Sequence, residues 1–140
     1  MARVVLERAI VVRAAAALLL SRVRLPRRLD RRPLHRVLAD MTPAVPPPPP
    51  SAAVVADLER AFAVIEAICS RTRGLRDTCF YRAVARYGTW QSVGVPARFV
   101  MAVRRDPSGN VEGHAWVERG GTPDNKEHVS DYTVTFAFPT

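Results

Sequence analysis

The sequence predicts an α+β fold, on three observations. Residues 2–88 carry apolar positions at helical spacing, interrupted mainly by prolines. Residues 97–138 switch to apolar–polar alternation between Gly-, Asn- and Asp-containing turns. The helical text all precedes the strand text, which separates the two classes of element along the chain.

Residues 2–23 read as the first helix. Val4, Val5, Ala9, Val12, Ala15, Ala16, Leu19 and Leu20 recur at i, i+3, i+4 spacing, with Arg3, Arg8, Arg13 and Arg22 mostly off that face. The stripe is expected to pack on the body or on a partner, and a basic amphipathic helix also suits a membrane surface. Pro26 is expected to end it. Leu29–Asp40 reads as a short second helix with Pro33 in its first turn, where a missing N–H costs least. Residues 42–50, TPAVPPPPP, have the composition of an extended polyproline II spacer.

Ser51 caps the next helix, whose stripe is Val54, Val55, Leu58, Phe62, Ile65 and Cys69. Cys69 on that stripe is expected to be a small buried hydrophobe. Gly74 marks the exit. Asp77 and Thr78 are both good caps for a further helix that begins at Cys79 and meets no breaker before Gly88. Ala97–Arg104, Glu112–Glu118 and Tyr132–Phe138 then read as three strands of a small antiparallel meander, with turns at residues 106–110 and at Gly120-Gly121. The chain divides into a basic helical arm (1–41), a polyproline linker (42–50) and a C-terminal domain (51–140).

The formal net charge is +8, and residues 1–36 account for all of it, with ten arginines against Glu7 and Asp30. Residues 37–140 are neutral, so the body is not expected to bind nucleic acid, which needs clustered cations on a folded surface. The longest apolar run, Ala14–Leu20, is too short to span a bilayer. Ser21–Arg24 is a poor signal-cleavage site, and an Arg-rich start also resembles a mitochondrial transit peptide. The expected compartment is cytoplasmic, with no firm membrane association. Cys69 and Cys79 have neither disulfide-scaffold nor zinc spacing, and no metal or organic cofactor is expected.

Cys79 is a candidate nucleophile. At a helix start, free N–H groups and the helix dipole favour a thiolate and can hold a developing oxyanion. A nucleophile there needs a base and an acceptor to orient it. Of the three histidines, His35 lies in the arm and His128 in a polar loop; His114 alone lies in a predicted strand, on one face with Trp116 and Glu118. Trp116 is placed to wall its imidazole from water. Asp124, Glu127 and Asp131 follow.

Cys79 opening a helix, the run SVGVPARFV at 92–100 and the run GHAWVE at 113–118 together resemble the transglutaminase-like core, with its papain-like arrangement of helix and sheet. The resemblance covers about residues 52–140. The short length, the basic helical front and the 35-residue step from Cys79 to His114 look most like the microcin-processing, lasso-peptide branch, whose members remove the leader from a ribosomally made precursor peptide. The resemblance implies a Cys-His-Asp thiol peptidase with Cys79 as nucleophile, His114 as general base and Asp124 as the orienting acid, with Glu127 and Asp131 as alternatives. It further implies a separate leader-recognition protein and an ATP-dependent lasso cyclase downstream. Arg98 is expected to form a structural ion pair, and Gly94 to need a positive φ or close packing. Trp90 and Gln91 stand as alternative cleft-lining or oxyanion groups. Two other readings stay open: an amidase or acyltransferase acting on another amide, and a non-catalytic peptide-binding member of the same fold.

Overall fold

The structure is a computed structural model that describes residues 1–124 and 128–140. Four helices precede four strands: α1 (Ala2–Arg31), α2 (Leu34–Met41), α3 (Ala52–Arg71), α4 (Cys79–Ser92), β1 (Arg98–Arg105), β2 (Val111–Arg119), β3 (Thr122–Pro123) and β4 (Thr133–Phe138). This is the expected α+β class. The sheet is antiparallel with strand order β3-β2-β1-β4. The expected meander is therefore corrected: the last strand pairs with β1, Phe99 against Phe138. The reason lies in burial, because on that side Phe136 and Phe138 pack against the helical core.

Helix α4 lies between the sheet and the other helices. Its Trp90 meets Phe62 of α3 edge-on at 4.7 Å, and its Tyr87 is buried beside Phe138 at 6.0 Å. Such ring pairs contribute about 0.5–1.5 kcal/mol beyond the area they bury.

Helix α1 departs from expectation in two ways. Its buried face is Ala14, Leu18, Arg22 and Leu25, with Ile10 and Val11 beside them. The stripe read from the sequence faces outward, with Val12 68% exposed and Val4, Val5, Leu19 and Leu20 also open. The helix carries two apolar stripes, and periodicity alone cannot say which one meets the body. It also runs through Pro26 to Arg31. An interior proline costs about 3 kcal/mol. Leu18 and Leu25, both fully buried, return about 1.5–3 kcal/mol each, which is enough to hold the helix against the body.

Residues 1–41 thus share one core with α3 and α4. Pro33 is the residue before α2 and not inside its first turn. The polyproline run passes over Gly94, where a Cβ would stand 2.4 Å from the Pro47 carbonyl oxygen. Gly94 also has φ +82, so both expected reasons for glycine hold at this one position. Gly88 does not break α4; it lies under Met41, whose Sδ would be 2.8 Å from a Cβ there.

The two sheet faces differ. Phe99, Ala115 and Val117 face the helices. Val100, Ala102 and Trp116 form a second cluster on the reverse face, covered by Val129, Tyr132 and Ala137. Among the described residues no helix is long and apolar enough to cross a membrane.

Candidate active site

Ser51 and Thr78 cap α3 and α4 as their positions suggest. The Thr78 hydroxyl accepts from the Tyr81 N–H at 3.4 Å, and the Arg82 N–H closes the first helical bond onto the Thr78 carbonyl. Cys79 is thus the first helical residue, half-buried. The Cys79 and Phe80 N–H groups lie at the unpaired end of the helix, aimed out of its first turn.

Asp77 is not the cap. Its carboxylate accepts from the Arg22 guanidinium at 2.7 Å, and Arg82 stands 3.6 Å away. The same Arg22 nitrogen donates to the Arg76 carbonyl at 3.2 Å. Arg22 is 1% exposed, and its Nε and Nη1 find no acceptor among the described residues. A buried arginine of α1 therefore clamps the two residues that precede the Thr78 cap. The sequence reading, which left Arg22 off the packed face, missed this residue. The signal that could have found it is its i+4 spacing from Leu18, the start of the stripe that is in fact buried.

A small cleft of about 40 Å³ adjoins Cys79, room for about one water. Ala115, Trp116 and Val117 of β2 line it, as do Arg82, Arg86, Glu66 and Asp124. Arg86 holds the cleft together. It donates to Glu66 at 2.6 and 3.0 Å and to Asp124 at 2.8 Å. Burial opposes its charge, but the Glu66 and Asp124 carboxylates outweigh that, so its pKa is raised. The buried Asp124 carboxylate also accepts from the Trp90 indole N–H at 2.9 Å, and its backbone N–H donates to the Val117 carbonyl at 2.8 Å. Asp124 fastens the end of β3 to α4.

His114 pairs with Ala102 in the β1–β2 ladder. Strand alternation sets its neighbour Ala115 toward the helices and the cleft, and sets His114 with Trp116 toward the other face. Its ring lies 5.8 Å from Trp116 and 5.5 Å from Tyr132. The expected wall beside the imidazole is present. The structure brings Cys79 and Asp124 to one cleft and places His114 on the reverse side of the strand that lines it. Of the alternative acids, Asp131 accepts from Arg104 at 2.7 Å, and that bond holds its carboxyl below the usual range. Glu127 lies outside the described residues.

Trp90 is buried with its indole N–H on the Asp124 carboxylate, and Gln91 donates to the Ala97 carbonyl at 3.0 Å just before β1. Arg98 pairs with Glu118 at 3.3 Å, as expected. Cys69 is 1% exposed, and burial pushes its thiol pKa up. Among the described residues no group of three or more His, Cys, Asp or Glu side chains is arranged to hold a metal ion.

A family model described as the transglutaminase-like superfamily matches residues 19–137. The match begins inside α1, well before residue 52, in keeping with the packing of that helix into the shared core. No curated protein and no solved structure matches the chain significantly.

Proposed function

The chain belongs to the transglutaminase-like superfamily, and from that premise we propose that it is a cysteine peptidase acting by acyl transfer, with Cys79 as nucleophile. One observation carries the reading: Cys79 is the first residue of a capped, core-packed helix, half-buried beside a cleft. There the dipole and the outward N–H groups favour both a thiolate and the oxyanion of a tetrahedral intermediate.

In this mechanism the Cys79 thiol gives its proton to His114 and the sulfur bonds to the peptide carbonyl carbon. The tetrahedral oxyanion is held by the N–H groups at the start of α4. The C–N bond then breaks as His114 returns the proton to the leaving amine. Water, deprotonated by His114, cleaves the thioester and frees Cys79. Strand alternation turns the His114 ring to the face of β2 opposite Ala115, so this relay requires a shift of the β2 backbone that a side-chain rotation cannot supply. Asp124, from the same cleft, is the acid assigned to orient that ring. The resemblance to the lasso-peptide branch extends the reading to the substrate: the junction between leader and core of a ribosomally made precursor. A separate leader-recognition protein would present it, and an ATP-dependent cyclase would take the product.

A second reading, peptide binding without turnover, is favoured by the position of His114 beside Trp116 and Tyr132 and by the engagement of Asp124 with Arg86 and Trp90. Alkylation of Cys79 by iodoacetamide, in a Cys69→Ala background, separates the two. A peptidase requires His114→Ala to slow the reaction by more than about tenfold. A rate indifferent to His114 selects the binding reading.

A further inference from the structure

The cleft at Cys79 is about 40 Å³, so a peptide that reaches it lies mostly on the neighbouring surface. A groove of about 650 Å³ lies between the second half of α1 and the loop Gly74–Arg76. That is within the range of about 300–1,000 Å³ typical of ligand clefts. Val23 and Leu75 supply apolar lining, and Arg24, Arg27, Arg28 and Arg76 face one acid, Asp30. Arg28 leans toward Asp40 at 3.7 Å, and Arg76 donates to the Tyr81 hydroxyl at 3.1 Å. Arg24 and Arg27 are exposed, and among the described residues neither has an ion-pair partner.

Arg76, one of the lining residues, precedes Cys79 by three positions in the chain. Three residues of chain span at most about 11 Å. A peptide seated in the groove needs only a few further residues to bridge that distance to the nucleophile. The groove is concave and bounded by two elements, which suits a chain and not the flat face of a bilayer.

We propose that this groove is an exosite for an acidic segment of the peptide substrate. Carboxylates pair with Arg24 and Arg27, and the susceptible bond is thereby delivered to Cys79. Guanidinium groups suit this role because each offers a planar fork of donors to a carboxylate. The proposal rests on the reading of Cys79 as nucleophile.

The test uses the full chain carrying Cys79→Ala, a short fluorescent Glu-rich peptide, and a matched peptide with Gln at every Glu. Fluorescence anisotropy should show binding of the Glu peptide and not of the Gln peptide. The Arg24→Gln/Arg27→Gln variant should weaken binding by about tenfold or more, and Arg24→Lys/Arg27→Lys, which keeps the charge without the planar fork, should fall between the Gln variant and the parent. Equal binding of the two peptides overturns the proposal. So does an affinity unchanged in the Gln variant, or sedimentation with phosphatidylserine vesicles in place of peptide binding. Melting curves of both variants, which alter only exposed side chains, should match that of the parent. Alkylation of Cys79 in the otherwise native chain separates this proposal from the reading beneath it. If Cys79 stays reactive in the Gln variant while peptide binding is lost, the groove is supported and the nucleophile stands. An inert Cys79 in the parent chain overturns the nucleophile and with it the exosite.

Discussion

Arg22 of α1 reaches Asp77 at 2.7 Å, and this contact joins the first helix of the chain to the segment that sets the start of α4. The two partners are not equivalent. Arg22 is 1% exposed, whereas Asp77 keeps some contact with water and with Arg82. Removing the carboxylate strands a buried cation whose Nε and Nη1 already lack acceptors among the described residues. Asp77→Ala should cost about 3–5 kcal/mol of stability. Arg22→Leu leaves only a part-solvated carboxylate and should cost about 1–2 kcal/mol. Urea unfolding of both variants checks the order, and a larger loss for Arg22→Leu would contradict the asymmetry.

Asp124 is the acceptor that Arg86 and Trp90 share. Asp124→Ala leaves the Trp90 indole unpaired and Arg86 with Glu66 alone, a loss of about 3 kcal/mol. Asp124→Asn retains a carbonyl acceptor and should lose about 1–2 kcal/mol. Asp131 is 56% exposed, and Asp131→Ala should leave the unfolding midpoint essentially unchanged. If Asp124 also orients His114, Asp124→Asn slows Cys79 alkylation under conditions where the variant remains folded, which native circular dichroism reports in parallel.

Cys69 and Cys79 should differ sharply toward thiol reagents. Burial raises the Cys69 pKa, so its neutral thiol is favoured in the folded chain. The contribution to stability is fully present below the unfolded value of about 8.5 and falls as pH rises from there through the raised folded value. Intact-mass analysis should find one alkylated site in the native protein at pH 8 and two in urea. Fast modification of Cys69 in the native state would contradict its burial.

The elements themselves were written locally, and so they were legible. Ser51 and Thr78 each cap a helix with one hydroxyl, and the Thr78 cap puts Cys79 at a helix start. Gly94 needed both its positive φ and its missing Cβ, and its place before Pro96 announced a tight approach. Cys69 followed a stripe that had only one direction in which to face. Residues with two possible faces were not legible. Helix α1 has apolar positions on opposite sides, and the choice between them depends on the volumes that α3 and α4 offer. Pro26 reads as a stop in isolation and is overridden by leucines packed on either side of Arg22.

What the sequence by itself determined is the α+β order of elements, the capped start of α4 at Cys79 and the strand pair that carries Arg98, His114 and Glu118. All of these follow from interactions between residues a few positions apart or from alternation within one strand. Only the tertiary structure decided that β4 lies beside β1, that Arg22 turns inward to Asp77, that Asp124 is taken up by Arg86 and Trp90, and that His114 lies on the reverse face from the Cys79 cleft. Each of these is a choice among partners far apart in the chain, settled by which arrangement buries the most apolar surface while leaving the fewest charges unpaired.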